Sequence, residues 1–286
     1  MSEQAASGHG DQGFGARLRS ALTATGHLCV GIDPHPHLLR DWGLDDSAAG
    51  VREFGLRVVD ATAQAAGIVK PQVAFFERFG ADGFRALEEV IRAAREAGLL
   101  VIADAKRGDV GSTVEAYGRA WLEPGSPLEA DALTVSAFQG TGSLSAVREL
   151  ASANGKGLFV LAATSNPESF PLQRASTADG TTVSRIIATE VAEWNGGASF
   201  GSFGVVIGAT VDLDVSGLSR DALVGMPILA PGFGHQGADI RDIRAIYGDA
   251  ADSVLVSMSR SILKVGPTRL SETIRNQSAE VAECLE

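Results

Sequence analysis

Eight short apolar runs, separated by longer segments with helical periodicity, most constrain how this chain of 286 residues can fold. Short runs rich in Val, Ile and Leu are typical of strands buried on both faces, as in a parallel sheet. One intervening segment places Phe84, Leu87, Ile91 and Ala94 on one helix face before Gly98. The candidate strands are residues 28–32, 67–73, 99–104, 132–136, 157–163, 203–207, 227–230 and 253–256.

Strands that alternate with helices predict an α/β protein, and eight such units close most simply into a (β/α)8 TIM barrel. The alternative is an open doubly wound sheet, which usually carries a glycine-rich turn after its first strand. Here the turn is Asp33-Pro34-His35-Pro36, without glycine. No segment has the composition of a linker, so we predict one catalytic barrel domain over residues 13–286 and a disordered tail over residues 1–12.

Charge and cysteine content narrow the function classes. A net charge of -11 argues against a nucleic-acid or anionic-membrane partner, because phosphate groups would be repelled over most of the surface. No run approaches the roughly 18 apolar residues of a membrane span. Cys29 and Cys284 are the two cysteines, which indicates neither a disulfide framework nor a thiolate metal site. These features favour a cytoplasmic protein.

The most unusual segment is Asp104-Ala105-Lys106-Arg107-Gly108-Asp109, at the point where the third apolar run ends. Residues two apart on a strand share a face, so Asp104 and Lys106 should lie side by side while Ala105 packs on the other face. Asp109 should leave on the following loop. An acid and a base in an apolar setting form either a structural salt bridge or a working site, and this segment alone leaves both open.

A candidate anion pocket follows the seventh and eighth strands, where barrels of this kind often bind phosphate. The segment from Pro231 to Gly237 offers backbone N–H groups on a glycine loop and the amide of Gln236. After the next strand, Arg260 offers a planar set of donors. The sequence therefore predicts a phosphate-binding site formed by these two connections.

Three histidines near strand ends, His35, His37 and His235, could suggest a metal site. They lack the spacing of a histidine pair on a helix, and lysines beside the acids disfavour a cation. We therefore predict no metal and no other cofactor. The longest polar connection, residues 165–182, could be a lid or an ordinary solvated loop.

The segment DAKRGDVGST (residues 104–113) resembles the D-x-K-x-x-D signature of the orotidine 5'-phosphate decarboxylase family. The residues that fill and follow this signature resemble those of the longer bacterial, type 2 branch of the family. The resemblance covers roughly residues 28–265. It extends through GIDPHP (31–36), VKPQVAFFE (69–77), TSNPE (164–168), PGFGHQG (231–237) and SRSIL (259–263).

The resemblance implies decarboxylation of orotidine 5'-monophosphate to uridine 5'-monophosphate in pyrimidine biosynthesis, by a cofactor-free homodimer. Lys106 would donate a proton to pyrimidine C6, Asp104 would lie against the scissile carboxylate, and Lys70 and Asp33 would hold the ribose hydroxyls. Gln236 and Arg260 would bind the phosphate. Residues that would complete the site are Asp109, Val110 and Thr113 from the partner subunit and Ser143 at the pyrimidine edge.

Other interpretations stay open for some of these residues. Residues 112–115 (STVE) have the spacing of a capping box, which would make Thr113 a helix-starting residue, and Ser143 could likewise be a helix cap. For the whole chain, one alternative is a metal-dependent sugar-phosphate decarboxylase or aldolase of the same superfamily, such as one acting on 3-keto-gulonate 6-phosphate. Another is a barrel that senses nucleotides without turnover.

Overall fold

A computed structural model describes residues 13–234 and 236–286, and within them eight parallel strands form a closed barrel. Each strand pairs with the next along the chain, and β1 pairs with β8. The predicted (β/α)8 barrel is confirmed, and the open doubly wound sheet is excluded. The predicted tail, residues 1–12, lies outside the described residues. The strands are β1 (Leu28–Ile32), β2 (Ile68–Pro71), β3 (Leu100–Arg107), β4 (Ala132–Val135), β5 (Gly157–Ala163), β6 (Phe203–Ile207), β7 (Ile228–Pro231) and β8 (Val254–Met258).

α-Helices occupy the intervals between strands, except the interval between β6 and β7, which contains the short 3₁₀ helix Asp221–Leu223. The predicted helix face is confirmed, because Leu87, Ile91 and Ala94 are buried and Phe84 is half-buried. None of the helices in the described part of the chain is long and apolar enough to cross a membrane. The helices are α1 (Phe14–Thr25), α2 (Pro36–Asp41), α3 (Ala48–Ala63), α4 (Ala74–Glu77), α5 (Gly80–Glu96), α6 (Gly111–Leu122), α7 (Ser145–Ala153), α8 (Phe170–Gln173), α9 (Val183–Trp194), α10 (Ile243–Tyr247), α11 (Arg260–Leu263) and α12 (Leu270–Leu285).

The barrel interior is a compact apolar cluster that one helix closes at the amino-terminal end. Phe14, Leu18 and Leu22 on α1 are buried in the same cluster as inward-pointing strand residues such as Phe159. The Phe14 ring lies so close to Gly157, the first residue of β5, that a Cβ there would come within 2.2 Å of it. Because α1 seals this end, access to the strand ends remains at the opposite, carboxyl-terminal face.

The predicted strand boundaries agree with the structure to within three residues, and the largest difference lies in β3. The sequence suggested that this strand ends at Asp104, whereas it continues to Arg107. The pairing of β3 with β4 changes register in this extension. Residues 104–107 of the unusual polar segment are therefore the irregular end of the strand, and Asp109 lies on the loop that follows, as predicted.

Candidate active site

The carboxyl-terminal ends of the strands surround a cavity of about 240 Å³. In a parallel barrel these ends all open on one face, so side chains distant in the sequence meet there. Six of the ten residues that were predicted for the site line this cavity. They are Asp33, Lys70, Asp104, Lys106, Gln236 and Arg260.

The Asp104 carboxylate is the centre of the cavity's hydrogen-bond network. Its Oδ2 accepts from Lys70 Nζ at 2.8 Å and from Gln72 Nε2 at 2.9 Å. Its Oδ1 accepts from Lys106 Nζ at 2.6 Å and from Thr134 Oγ1 at 3.0 Å. Strands β2, β3 and β4 and the residue that follows β2 thus supply four donors, which hold both carboxylate oxygens in place. The predicted contact between Asp104 and Lys106 is confirmed.

The electrostatics of this network keep Asp104 and Lys70 charged. Burial alone would raise the pKa of Asp104, but the ammonium groups of Lys70 and Lys106 and their hydrogen bonds outweigh it and hold the pKa well below its usual range. For Lys70, burial would lower the pKa, yet the nearby Asp104 and Asp33 raise it above its ordinary value. The cavity therefore presents the Asp104 carboxylate paired with the Lys70 ammonium group near neutral pH.

Lys106 has a strained backbone. Its φ of 49° is the single positive value among non-glycine residues in the described part of the chain. Left-handed backbone at a residue with a side chain costs about 1 to 3 kcal/mol, and such strain persists where surrounding contacts enforce it. The strain coincides with the β3–β4 register change, because Ala103 pairs with Leu133 whereas Arg107 pairs with Val135. Three residues of β3 thus face Thr134 alone, which makes a bulge at the end of the strand.

Asp33 follows β1, the strand that pairs with β2 and β8. Its Oδ1 is buried and has no hydrogen-bond partner among the described residues. An unpaired buried carboxylate oxygen is costly, and in a cavity wall it is an acceptor available to a ligand hydroxyl group. This supports the predicted role of Asp33 as a binding residue.

The predicted anion pocket forms the other side of the same cavity. Gly232 and Gly234, after β7, have φ values of 117° and 72°, which only glycine adopts readily, and they bend the chain around the cavity. Gln236 lies on this loop and Arg260 at the start of α11. Ser165, from the connection after β5, donates a hydrogen bond to Gln236 Oε1 at 3.1 Å. This contact joins the 165–182 connection to the β7 loop over the cavity.

Four predicted site residues do not line the cavity of their own chain, namely Asp109, Val110, Thr113 and Ser143. Asp109 lies beyond it, where its Oδ1 accepts from Val110 N at 2.8 Å. Thr113 is exposed inside α6, which begins at Gly111, so the capping-box interpretation is wrong. The hydroxyl of Ser143 donates to Gly140 O at 2.7 Å within one turn.

Two residues of the network were missed by sequence reasoning. Gln72 follows Lys70 by two positions, so strand alternation places the two side chains on one face. Thr134 is the polar member of an otherwise apolar strand, and it is fully buried. Each residue therefore had a local sequence feature that could have marked it as a site residue, although nothing in the sequence connected either residue to Asp104.

Two of the three histidines near strand ends, His35 and His37, contact each other, and His35 also contacts the ring of Phe75. The rings of His35 and His37 stack with centroids 5.3 Å apart. His235 lies outside the described residues. The described part of the chain contains no group of three or more His, Cys, Asp or Glu residues that could hold a metal ion.

A larger cavity, of about 670 Å³, opens at the amino-terminal end of the barrel. Its buried charges already have protein partners, because Glu129 accepts from Arg95 and Lys156, and Arg17 donates to Asp131. Charged groups at this end of a TIM barrel stabilise the fold, whereas chemistry occurs at the carboxyl-terminal end. The smaller cavity is therefore the candidate active site.

Comparisons with known proteins agree with the fold. Orotidine 5'-phosphate decarboxylase of Salinispora tropica is 51% identical over 257 residues, which are 90% of this chain and 91% of that protein. The enzyme of the same name from Streptomyces coelicolor is 49% identical and covers 89% of this chain and 91% of its own length.

Solved structures show the same similarity. A crystal structure from Streptomyces avermitilis, provisionally assigned as orotidine 5'-phosphate decarboxylase, is 44% identical with a TM-score of 0.93 and covers 99% of both chains. The Leishmania donovani OMP decarboxylase structure is 29% identical with a TM-score of 0.76 and covers 96% of this chain and 99% of its own. The sequence model of the orotidine 5'-phosphate decarboxylase / HUMPS family matches residues 26–270. This protein therefore belongs to the orotidine 5'-phosphate decarboxylase / HUMPS family.

Proposed function

We propose that this protein decarboxylates orotidine 5'-monophosphate to uridine 5'-monophosphate and CO2. The observation that carries the proposal is the buried Asp104 carboxylate held between Lys70 and Lys106 at the carboxyl-terminal end of the barrel. The roughly 50% identity to enzymes named for this reaction, over nine tenths of the chain, supports it. One barrel domain over residues 13–286 would perform the whole reaction.

In the proposed reaction the bond between pyrimidine C6 and the carboxylate carbon breaks, and its electron pair stays on C6 as CO2 leaves. Lys106 then transfers a proton from Nζ to C6 and regains one from solvent. Its side chain, 45% exposed, can reach toward a ligand in the cavity, whereas the Lys70 side chain is buried against Asp104. Lys106 is therefore assigned as the proton donor, and Lys70 and Asp33 as ligands of the ribose hydroxyls.

Asp104 would place a negative charge beside the scissile carboxylate. Two such charges about 3 Å apart repel by roughly 5 kcal/mol at an effective dielectric constant near 20, and loss of CO2 relieves this repulsion. Enzymes lower barriers by about 8 to 23 kcal/mol, so repulsion alone is insufficient. The larger share of the decrease in the reaction barrier is assigned to the ammonium group of Lys106, which stabilises the charge that develops at C6.

The phosphate would bind between the β7 loop and α11. Replacing Arg260 with alanine is expected to lower kcat/KM for the nucleotide by roughly 30- to 150-fold, since a charge-assisted contact to a dianion contributes about 2 to 3 kcal/mol. Part of the loss should appear in kcat, because phosphate binding helps to hold the reactive arrangement. Steady-state kinetics with the nucleotide and with orotidine, which lacks the phosphate, measure the effect.

Orotidine turnover should be nearly unchanged in Arg260→Ala. Arg275→Ala, which removes the same charge from an exposed position on α12, is the matched control and should leave both activities unchanged. An equal loss toward both substrates would show that Arg260 supports the barrel and does not bind the phosphate.

A metal-dependent sugar-phosphate reaction is the alternative within the superfamily, and chelation separates the two. Turnover of the nucleotide by the purified protein is expected to persist in excess chelator, since Asp104 already has two ammonium partners. The decrease of orotidylate absorbance measures turnover. Activity that chelator abolishes and magnesium restores would favour the alternative.

Binding of the nucleotide without turnover would instead indicate a sensor.

The site is proposed to be completed by a second copy of the chain. Asp109 does not line its own chain's cavity, and it follows a glycine whose close approach to Ser136 O brings the β3 and β4 loops together. Val110 and Phe138, on these two loops, are exposed apolar residues with 54% and 74% of their surface accessible. Such side chains are typical of an interface. A homodimer would bury them and carry Asp109 and Thr113 to the neighbouring cavity.

The proposed ligand and location fit the remaining properties. The substrate is a small-molecule nucleotide, and the net charge of -11 disfavours nucleic acid or an anionic membrane as a partner. Cys29 and Cys284 are both free thiols. Reduced cysteines are the usual state in the cytoplasm, which we propose as the location.

A further inference from the structure

Thr134 joins the backbone of one candidate catalytic residue to the side chain of another. Its Oγ1 accepts a hydrogen bond from Lys106 N at 2.9 Å and donates one to Asp104 Oδ1 at 3.0 Å. A hydroxyl group has one proton to donate, and the ionised Asp104 accepts it, which leaves an Oγ1 lone pair for the Lys106 amide. A third contact, to Ala103 O at 3.5 Å, is too long to compete.

The bulge explains why this hydroxyl group is needed. The register change at the end of β3 takes the Lys106 amide out of the ladder with β4, and Lys106 turns into the left-handed region with φ 49°. The hydrogen bond of this amide is partly buried, and a backbone N–H group that is shielded from water needs an acceptor. The side chain of Thr134 supplies the acceptor where its strand cannot, and regular pairing resumes where Ser136 N donates to Arg107 O at 2.8 Å.

We propose that Thr134 is a positioning residue for decarboxylation, which sets the distance and angle between the Lys106 ammonium group and the Asp104 carboxylate. This inference rests on the proposed function. Thr134 is fully buried and does not line the cavity, so it acts through its two partners and not on the substrate. One hydroxyl group thus contacts both the strained lysine backbone and one oxygen of the carboxylate.

The test compares two substitutions that separate the hydroxyl group from the shape of the side chain. Thr134→Val keeps the shape and removes the hydroxyl group, whereas Thr134→Ser keeps the hydroxyl group. Misplacing a catalytic group by about 1 Å can cost about 100-fold, so kcat of the Val variant should fall roughly 10- to 100-fold. KM for orotidine 5'-monophosphate should change less than about threefold, because no contact with the ligand is removed. The Ser variant should keep most of the wild-type kcat.

A matched control is Thr62→Val. Thr62 is also fully buried, and its hydroxyl group donates to Val58 O within α3, away from the cavity. This variant should keep wild-type kinetics. Circular dichroism and thermal melts establish which variants fold. Should Thr134→Val not fold, Thr134→Ala, which leaves space for water at the Lys106 amide, should show the same loss of kcat.

The outcomes are distinct. A lower kcat in Thr134→Val or Thr134→Ala, together with nearly wild-type kcat in Thr134→Ser, supports the positioning role. Wild-type kcat in a folded Val variant, equal losses in Val and Ser, or a loss confined to KM would overturn it. Wild-type protein in the same assay tests the proposed function separately, since absence of turnover there contradicts the reaction and not the role of Thr134.

Discussion

Replacing Lys106 with alanine is expected to abolish measurable turnover of orotidine 5'-monophosphate while the protein stays folded. Loss of a positioned proton donor alone costs about 10²- to 10⁴-fold in rate. The substitution also removes the ammonium group assigned to stabilise charge at C6, so the loss in kcat should lie at or beyond the upper end of that range. Steady-state measurement of kcat and KM on the purified variant checks this.

The structure predicts that folding is preserved in this variant. The Lys106 side chain is nearly half exposed, and Asp104 would keep its hydrogen bonds from Lys70, Gln72 and Thr134. Lys264→Ala, at an exposed position after α11, is the matched control and should retain wild-type kinetics. Turnover by Lys106→Ala within about tenfold of wild type would remove Lys106 from the donor role.

The second large effect is recovery of activity from two inactive proteins. Asp109→Ala is expected to be inactive because each cavity would lose an acid supplied by its neighbour. Mixed with Lys106→Ala and allowed to exchange subunits, it should regain activity, since each mixed dimer contains one cavity with an intact Lys106 and an intact partner Asp109. Random exchange makes half of the dimers mixed, so the mixture should reach about one quarter of the wild-type activity.

Subunit exchange must be measured independently, for example by energy transfer between labelled subunits. Each variant carried through the exchange step alone is the control and should remain inactive. No recovery despite demonstrated exchange would place Asp109 in the cavity of its own chain. That result would require the β3 loop to move, because Asp109 now lies outside that cavity and bonds to Val110 N.

Local patterns in the sequence were enough to predict the order of the strands, the barrel and the side of the barrel that carries the chemistry. Apolar runs define strands because burial on both faces leaves no place for polar side chains. The polar residues that end those runs, such as Asp33, Lys70 and Asp104, therefore had to lie at the carboxyl-terminal face. The role of helix α1 was not predicted from the sequence. It closes the barrel through the contact between Phe14 and Gly157, two residues that are far apart in the sequence.

The sequence by itself determined that Asp33, Lys70, Asp104 and Lys106, at the ends of β1, β2 and β3, approach the cavity, since strand alternation and strand order depend on near neighbours. Only the tertiary structure decided that Asp104 receives hydrogen bonds from three adjacent strands, that β3 bulges and that Lys106 adopts a left-handed backbone. Register between strands is set by barrel closure and packing, which periodicity within one segment does not encode. The donor role of Lys106 could therefore be proposed from its neighbours, whereas the role of Thr134 required the fold.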